Sequence, residues 1–397
     1  MKGTRARATT ACGSVRRVFR PAADHSPGFD LAYVRSGPRT DTPIVVIPGG
    51  PGLASMRPYR ALRRLAAAGG LDVIMVEHRG IGASRRDTTG EPLTHDHMRI
   101  TAVVDDIAAV LDHERVERAV IAGSSYGSYL ASSFGARHPE RVAGMLLDSA
   151  LQSTGALELE RLLIRQLFWN AETPIASATR ALSERGLDER LLLDVVRAAY
   201  ELAGAPLLEP LLANRLRRSF GPAWKALEVY AQRDESIARI PGHYEFDIAG
   251  AIGFRELNYG AELDGLPLDP ARTYAPIAHR FPAFEHEPFD LAAEAAKFDW
   301  PMVLLAGSRD VRTPPEIAAR VAKIVPGSVL VQIENGHSTL DTHPVAFLNA
   351  VRLLVQGRTA ALPDLAARLD ALPRRGLSAR FARALKAAVR SESRLLN

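Results

Sequence analysis

The chain has one cysteine, Cys12, in 397 residues. No disulfide can form within it, and a reducing compartment, the cytoplasm, is the expected location. Aromatic residues are scarce at 6%, and no basic run carries interleaved aromatics, so a nucleic-acid partner is not expected. No uninterrupted apolar run reaches the roughly 20 residues of a membrane span. The basic opening, "MKGTRARATTACGSVRRVFR", lacks the apolar stretch of a secretory signal. The net charge of +5 comes from arginines scattered among acids, a compositional bias rather than a charged surface for an acidic partner. Neither G-x-G-x-x-G nor a phosphate loop ending in Gly-Lys-Ser/Thr occurs, so no cofactor is expected. "HDH" at 95–97 places two histidines in a polar stretch, which reads as solvated; no metal is expected.

What the chain does have is alternation. The segments "GSVRRVFRPA", "FDLAYVRSG", "TPIVVIPGG", "LDVIMVEHRG", "RAVIAGSSYG" and "VAGMLLDSA" read as strands. The later ones are apolar runs that stop at glycine or a polar turn, the pattern of strands buried on both faces. "MRITAVVDDIAAVLDHERV" and "SYLASSFGARHP" read as the helices between them. This order predicts an α/β fold, a mostly parallel sheet with helices on both faces. From 151 to 296 the strands stop and amphipathic helices follow: "LELERLLIRQLFWNAE", "DERLLLDVVRAAYELAG" and "PAWKALEVYAQRDESIARI". Strands resume with "WPMVLLAGSRD" and "SVLVQIENGH". The expected organisation is a core in two parts, 1–150 and 297–397, split by a helical cap, 151–296, over the carboxyl ends of the strands. The basic helical tail, 358–397, is expected to dock on the core.

Within "AVIAGSSYGSYLASS", Gly123-Ser124-Ser125-Tyr126-Gly127 fits G-x-S-x-G in one register, with Ser125 central. Small residues two before and two after let strand and helix approach, and expose the central hydroxyl on a sharp turn at a helix N-terminus. Ser124 is expected beneath the turn and Ser128 in the first helical turn. A serine nucleophile needs a base, and the base an orienting acid, in the chain order Ser, acid, His. "GSRDVRTPP" puts Asp310 just past one strand, and "NGHS" puts His337 just past the next. Asp148 is a rival acid at the end of the preceding strand; Asp341 reads as a helix cap. "PGGPG" at 48–52 follows a buried strand, and its glycines let backbone N–H groups face an anion. The oxyanion donors expected are the N–H groups of Gly50 and Tyr126.

Together "GGPG", "EHRGIGAS", "GSSYGS", "GSRDVRTPP" and "NGHS" resemble the proline iminopeptidase and tripeptidyl aminopeptidase group of α/β-hydrolases. The likeness covers roughly 25–150 and 297–355. It implies an α/β-hydrolase fold with a helical cap, and a serine aminopeptidase working through an acyl-enzyme on Ser125, with Asp310 and His337 completing the triad. Such enzymes hold the substrate's free amine with cap carboxylates. "AIGFRELNYGAEL" is similar to the segment carrying one of them, which falls on Glu256, with Glu262 or Glu245 as candidates for a second. The chain departs from the group's pattern at Pro48, Tyr126, Glu77 and His78, which argues against strict proline preference, and at Phe254, where many relatives have cysteine. A peptide substrate is therefore expected, and the alternative is an esterase, lactonase or amide hydrolase acting on a small metabolite with the same triad.

Overall fold

The computed structural model describes residues 13–22, 27–218, 221–232 and 239–396. Cys12 and the 233–238 portion of the third expected cap helix lie outside them. Eight strands among the described residues form one sheet: β1 (Val15–Arg20), β2 (Phe29–Ser36), β3 (Ile44–Ile47), β4 (Val73–Val76), β5 (Ala119–Ser124), β6 (Val142–Asp148), β7 (Met302–Gly307) and β8 (Val329–Ile333). Their order is β1-β2-β4-β3-β5-β6-β7-β8. β2 runs antiparallel to β1 and β4; all later pairings are parallel.

Every residue of β3, β5 and β7 is buried, because helices cover both faces of the parallel portion. Strand alternation divides the side chains between two layers. Val45, Ile121, Leu147 and Leu304 share a cluster with helices Ile100–His113 and Tyr126–Arg137. Val46, Val120, Leu146 and Val303 share another with helices Arg60–Ala68 and Pro344–Val355. The edge strand β1 is never fully buried along its length.

The long insertion between β6 and β7 packs in two ways. Helices from Ala156 to Gln232 build a separate hydrophobic centre around Phe168, Leu192, Val196, Leu211, Trp224 and Leu227. Helix Phe246–Leu257 instead places Ile248, Ala251 and Ile252 in the sheet's own core. The tail also divides. Leu362 and Leu369 pack on the sheet layer, but helix Leu377–Leu396 turns Leu385 and Val389 into the cap's centre. That helix therefore docks on the cap rather than on the core, because its apolar stripe meets Leu211 and Trp224 there. Among the described residues no helix is long and apolar enough to cross a membrane.

Candidate active site

β5 ends at Ser124, and helix Tyr126–Arg137 begins one residue after Ser125. Ser125 takes the whole reversal, with φ 55° and ψ −124°, a conformation that side chains disfavour and that packed neighbours must hold. The glycines explain how strand and helix come so close. A Cβ on Gly123 would lie 2.0 Å from the Gly127 carbonyl oxygen, and one on Gly127 would lie 2.2 Å from that of Ile47. Ser124 is buried beneath the turn and Ser128 sits in the first helical turn, donating to the Ser125 carbonyl at 2.6 Å.

His337 and Asp310 converge on this serine from the loops after β8 and β7. Ser125 Oγ lies 2.9 Å from His337 Nε2, and His337 Nδ1 lies 3.0 Å from both Asp310 carboxylate oxygens. Asp310 is buried and also accepts from the Arg312 and Thr313 N–H groups and the Thr313 hydroxyl. Burial alone would raise its pKa; the facing imidazole and these donors hold it below its ordinary value. For His337, burial pulls the pKa down, but the Asp310 charge and hydrogen bond outweigh it and hold the imidazole above 6.5. Asp148, the rival acid, is engaged elsewhere. It lies under Ser124 and accepts that hydroxyl at 2.7 Å, with the Thr339 and Leu340 N–H groups.

The glycine loop abuts the nucleophile through Gly49, where a Cβ would stand 3.8 Å from Ser125 Oγ. Gly50 follows with φ 135°, and its carbonyl accepts from the Tyr259 hydroxyl at 3.3 Å. The Tyr126 N–H, first in its helix, has no acceptor within the helix and is free to serve a ligand. The Tyr126 ring is pinned from behind: its hydroxyl lies 3.1 Å from Nε2 of His78, whose Nδ1 contacts the Arg79 carbonyl. Burial pushes His78 down to about 4, so the ring is neutral at ordinary pH and accepts the Tyr126 proton. A small pocket lies behind this tyrosine, between the glycine loop and helix Ile100–His113; neither Ser125 nor His337 lines it.

Glu256 is not displayed to a substrate. It is 4% exposed, its Oε2 accepts the Ile100 N–H at 2.7 Å, and its Oε1 lies 3.8 Å from Arg99. It caps the helix that starts at Ile100. Burial raises its pKa, against that N–H bond and Arg99. Glu245 is likewise engaged, by the Gly82 N–H and Arg239. Of the "HDH" stretch, His95 contacts the Asp247 carbonyl on helix Phe246–Leu257, and His97 accepts the Thr94 N–H within its own turn.

The carboxylates that do approach the triad from the cap are Glu160 and Glu201. Their charges, with that of Arg312, act on His337, Glu160 and Glu201 favouring its charged form and Arg312 opposing it. Glu160 pairs with Arg197 at 3.2 Å, and Glu201 with Arg312 at 3.3 Å. Burial carries Glu160 up to about 7 despite Arg197. Sequence reasoning missed all four residues. The one signal lay in "GSRDVRTPP", where Arg312 stands two residues past Asp310.

The chain belongs to the alpha/beta hydrolase fold family, whose pattern it matches over residues 42–344. Rhodomycin D methylesterase DauP of Streptomyces sp. (strain C5) is 29% identical over 309 residues, 76% of this chain and 87% of that protein. A proline iminopeptidase of Lactobacillus helveticus is 28% identical over 143 residues, 34% of this chain and 46% of that protein. Among solved structures, an alpha/beta hydrolase from Novosphingobium aromaticivorans covers 87% of this chain and 99% of its own, at 20% identity and a TM-score of 0.48.

Proposed function

We propose that the protein is a serine hydrolase that cleaves a carboxylic ester of a small molecule through an acyl-enzyme on Ser125. The observation that carries this reading is the continuous array Ser125–His337–Asp310, at 2.9 and 3.0 Å, on a strained elbow. In the first half-reaction Ser125 Oγ attacks the ester carbonyl and its proton passes to His337 Nε2. The N–H of Tyr126, with Gly50, stabilises the oxyanion. The C–O bond breaks, the imidazolium gives its proton to the leaving alkoxide, and the alcohol departs. Water then attacks the acyl-serine with His337 as base, releasing the acid and restoring Ser125. Asp310 keeps its charge and orients the ring throughout.

An ester is favoured over a peptide for two reasons. Glu256, the residue that the iminopeptidase likeness marks as an amine anchor, is spent on a helix cap. The methylesterase relative also matches over most of its length, the iminopeptidase over less than half. An aminopeptidase is the second reading, and one observation favours it: Glu160 and Glu201 descend from the cap beside His337, where a substrate ammonium would meet them.

The test is a paired assay of an aryl ester, a methyl ester, and prolyl-, alanyl- and phenylalanyl-arylamides with the amine free or acetylated. Turnover of esters, with acetylation making no difference to the arylamides, supports the esterase. Cleavage restricted to free-amine arylamides overturns it in favour of the aminopeptidase. Activity requires neutral His337, so kcat/KM should fall as pH drops through its raised pKa, with the half-point above 6.5.

A further inference from the structure

Beneath the nucleophile four oxygens form a chain. Ser124 Oγ lies 2.7 Å from Asp148 Oδ2 and 2.9 Å from Ser338 Oγ, and Ser338 Oγ lies 2.5 Å from Asp341 Oδ2. These are three oxygen–oxygen contacts, each needing one hydrogen. The two serine hydroxyls supply two. The other donors near the chain go elsewhere than the three contacts: the Tyr59 hydroxyl to Asp341 Oδ1 at 2.6 Å, the Thr339 and Leu340 N–H groups and the Thr339 hydroxyl to Asp148, and the Asp341 N–H to Ser338 Oγ at 3.3 Å. With both carboxylates ionised, each serine points at its own aspartate, and two lone pairs face each other across the Ser124–Ser338 contact. One carboxyl proton completes the chain from either end.

We propose that Asp148 and Asp341 share one proton through Ser124 and Ser338, and that this proton-bearing chain makes them positioning residues for the reaction. The proposal rests on the reading of Ser125 and His337 as nucleophile and base. Ser124 immediately precedes the nucleophile and Ser338 immediately follows the base, so the central contact clamps the two loops together from below. Ser338 itself is held in a left-handed conformation, φ 58°, with its N–H on Ser149 at 2.8 Å. Asp148 is fully buried, and burial carries its pKa up to about 6 against its N–H and hydroxyl donors. The other titratable groups around the chain are Tyr59, ahead of helix Arg60–Ala68, Asp341 itself, and the His337–Asp310 pair on the adjoining loops. A folded-state pKa raised from 3.8 to about 6 contributes stability that is full below 3.8 and is lost as pH rises through about 6.

The experiment compares the full-length protein with Asp341→Asn and Ser338→Ala. In the asparagine variant a side-chain amide N–H supplies the missing hydrogen at every pH, while the amide oxygen still accepts from Tyr59. Two readouts are followed from pH 5 to 8: the thermal midpoint and the rate at which a fluorophosphonate labels Ser125. The expected result is a variant-to-wild-type labelling ratio near one at pH 5 that rises roughly 3- to 10-fold by pH 8. The midpoint gap should widen in the variant's favour over the same range. A merely structural role for Asp341 would shift both readouts by a constant amount. Ser338→Ala removes the middle oxygen and with it the clamp, so it should be less stable, and adding Asp341→Asn to it should leave the labelling ratio flat from pH 5 to 8. A constant ratio and gap for Asp341→Asn, or a ratio that still rises when Asp341→Asn is placed on Ser338→Ala, overturns the proposal. Absence of Ser125 labelling in the wild type at any pH would instead overturn the hydrolase reading, and the thermal midpoints would still decide whether the chain holds its proton.

Discussion

The floor and the roof of the site are built by different rules. The floor belongs to the sheet: an elbow after β5, loops after β7 and β8, and a glycine loop after β3. Each is shaped by backbone contacts within a few residues or between adjacent strands, as when Gly123 meets Gly127 and Gly127 meets Ile47. The roof belongs to the cap, where Glu160 finds Arg197 across 37 positions and Glu201 reaches down to Arg312, in the loop after β7, across 111. A floor of this kind writes its constraints into short motifs. A roof of paired charges leaves nothing local to read, since either partner alone looks like an ordinary surface residue.

Four substitutions sharpen that contrast. Ser125→Ala should remove turnover by at least ~10⁴-fold while leaving the circular dichroism spectrum and thermal midpoint near wild type; wild-type rates would take the floor's central claim away. Gly127→Ala tests the floor's geometry. Its Cβ meets main-chain oxygens of Ile47 and Pro48 rather than movable side chains, so the elbow must shift. A rate loss of roughly 10²-fold is expected, with destabilisation of about 1–3 kcal/mol. On the roof, Glu201→Gln keeps an acceptor for Arg312 but removes a negative charge near His337. The acid limb of kcat/KM should move down by about half a pH unit, with Arg312 left to disfavour the imidazolium. An unmoved limb would detach the roof from the base. Glu256→Ala should cost about 1 kcal/mol in a urea melt through the lost helix cap, with KM for substrate near wild type. A selective rise in KM for free-amine substrates would restore Glu256 to the site.

The same division explains what was legible in the sequence. The eight strands, the elbow register, and the placing of Asp310 and His337 at neighbouring strand ends all follow from apolar runs that stop at glycine or polar turns. Ser124 and Ser128 were separable from Ser125 by spacing alone. Glu256 was different: a likeness to a segment gave it a role, but the identity of the N–H group opposite it, on Ile100, depends on how helix Phe246–Leu257 lies across the sheet layer. The chain beneath the nucleophile was hidden for a similar reason. Asp148 and Asp341 each had a plausible local reading, as rival acid and helix cap, and only the fold brings them within two serines of one another. The tail's docking site was also out of reach, because an amphipathic stripe states that a partner exists without naming it.

That docking has a consequence for biogenesis. The cap's hydrophobic centre is closed by Leu385 and Val389, which emerge from the ribosome long after the cap helices and after the two strands that follow them. Until then the apolar faces of Leu211 and Trp224 have no cover from this helix. The cap thus finishes folding after β7 and β8 have been made, and the roof is assembled onto a floor already laid. A nascent chain arrested before Leu377 should carry a chaperone-binding surface on its cap, and one released after Leu395 should not.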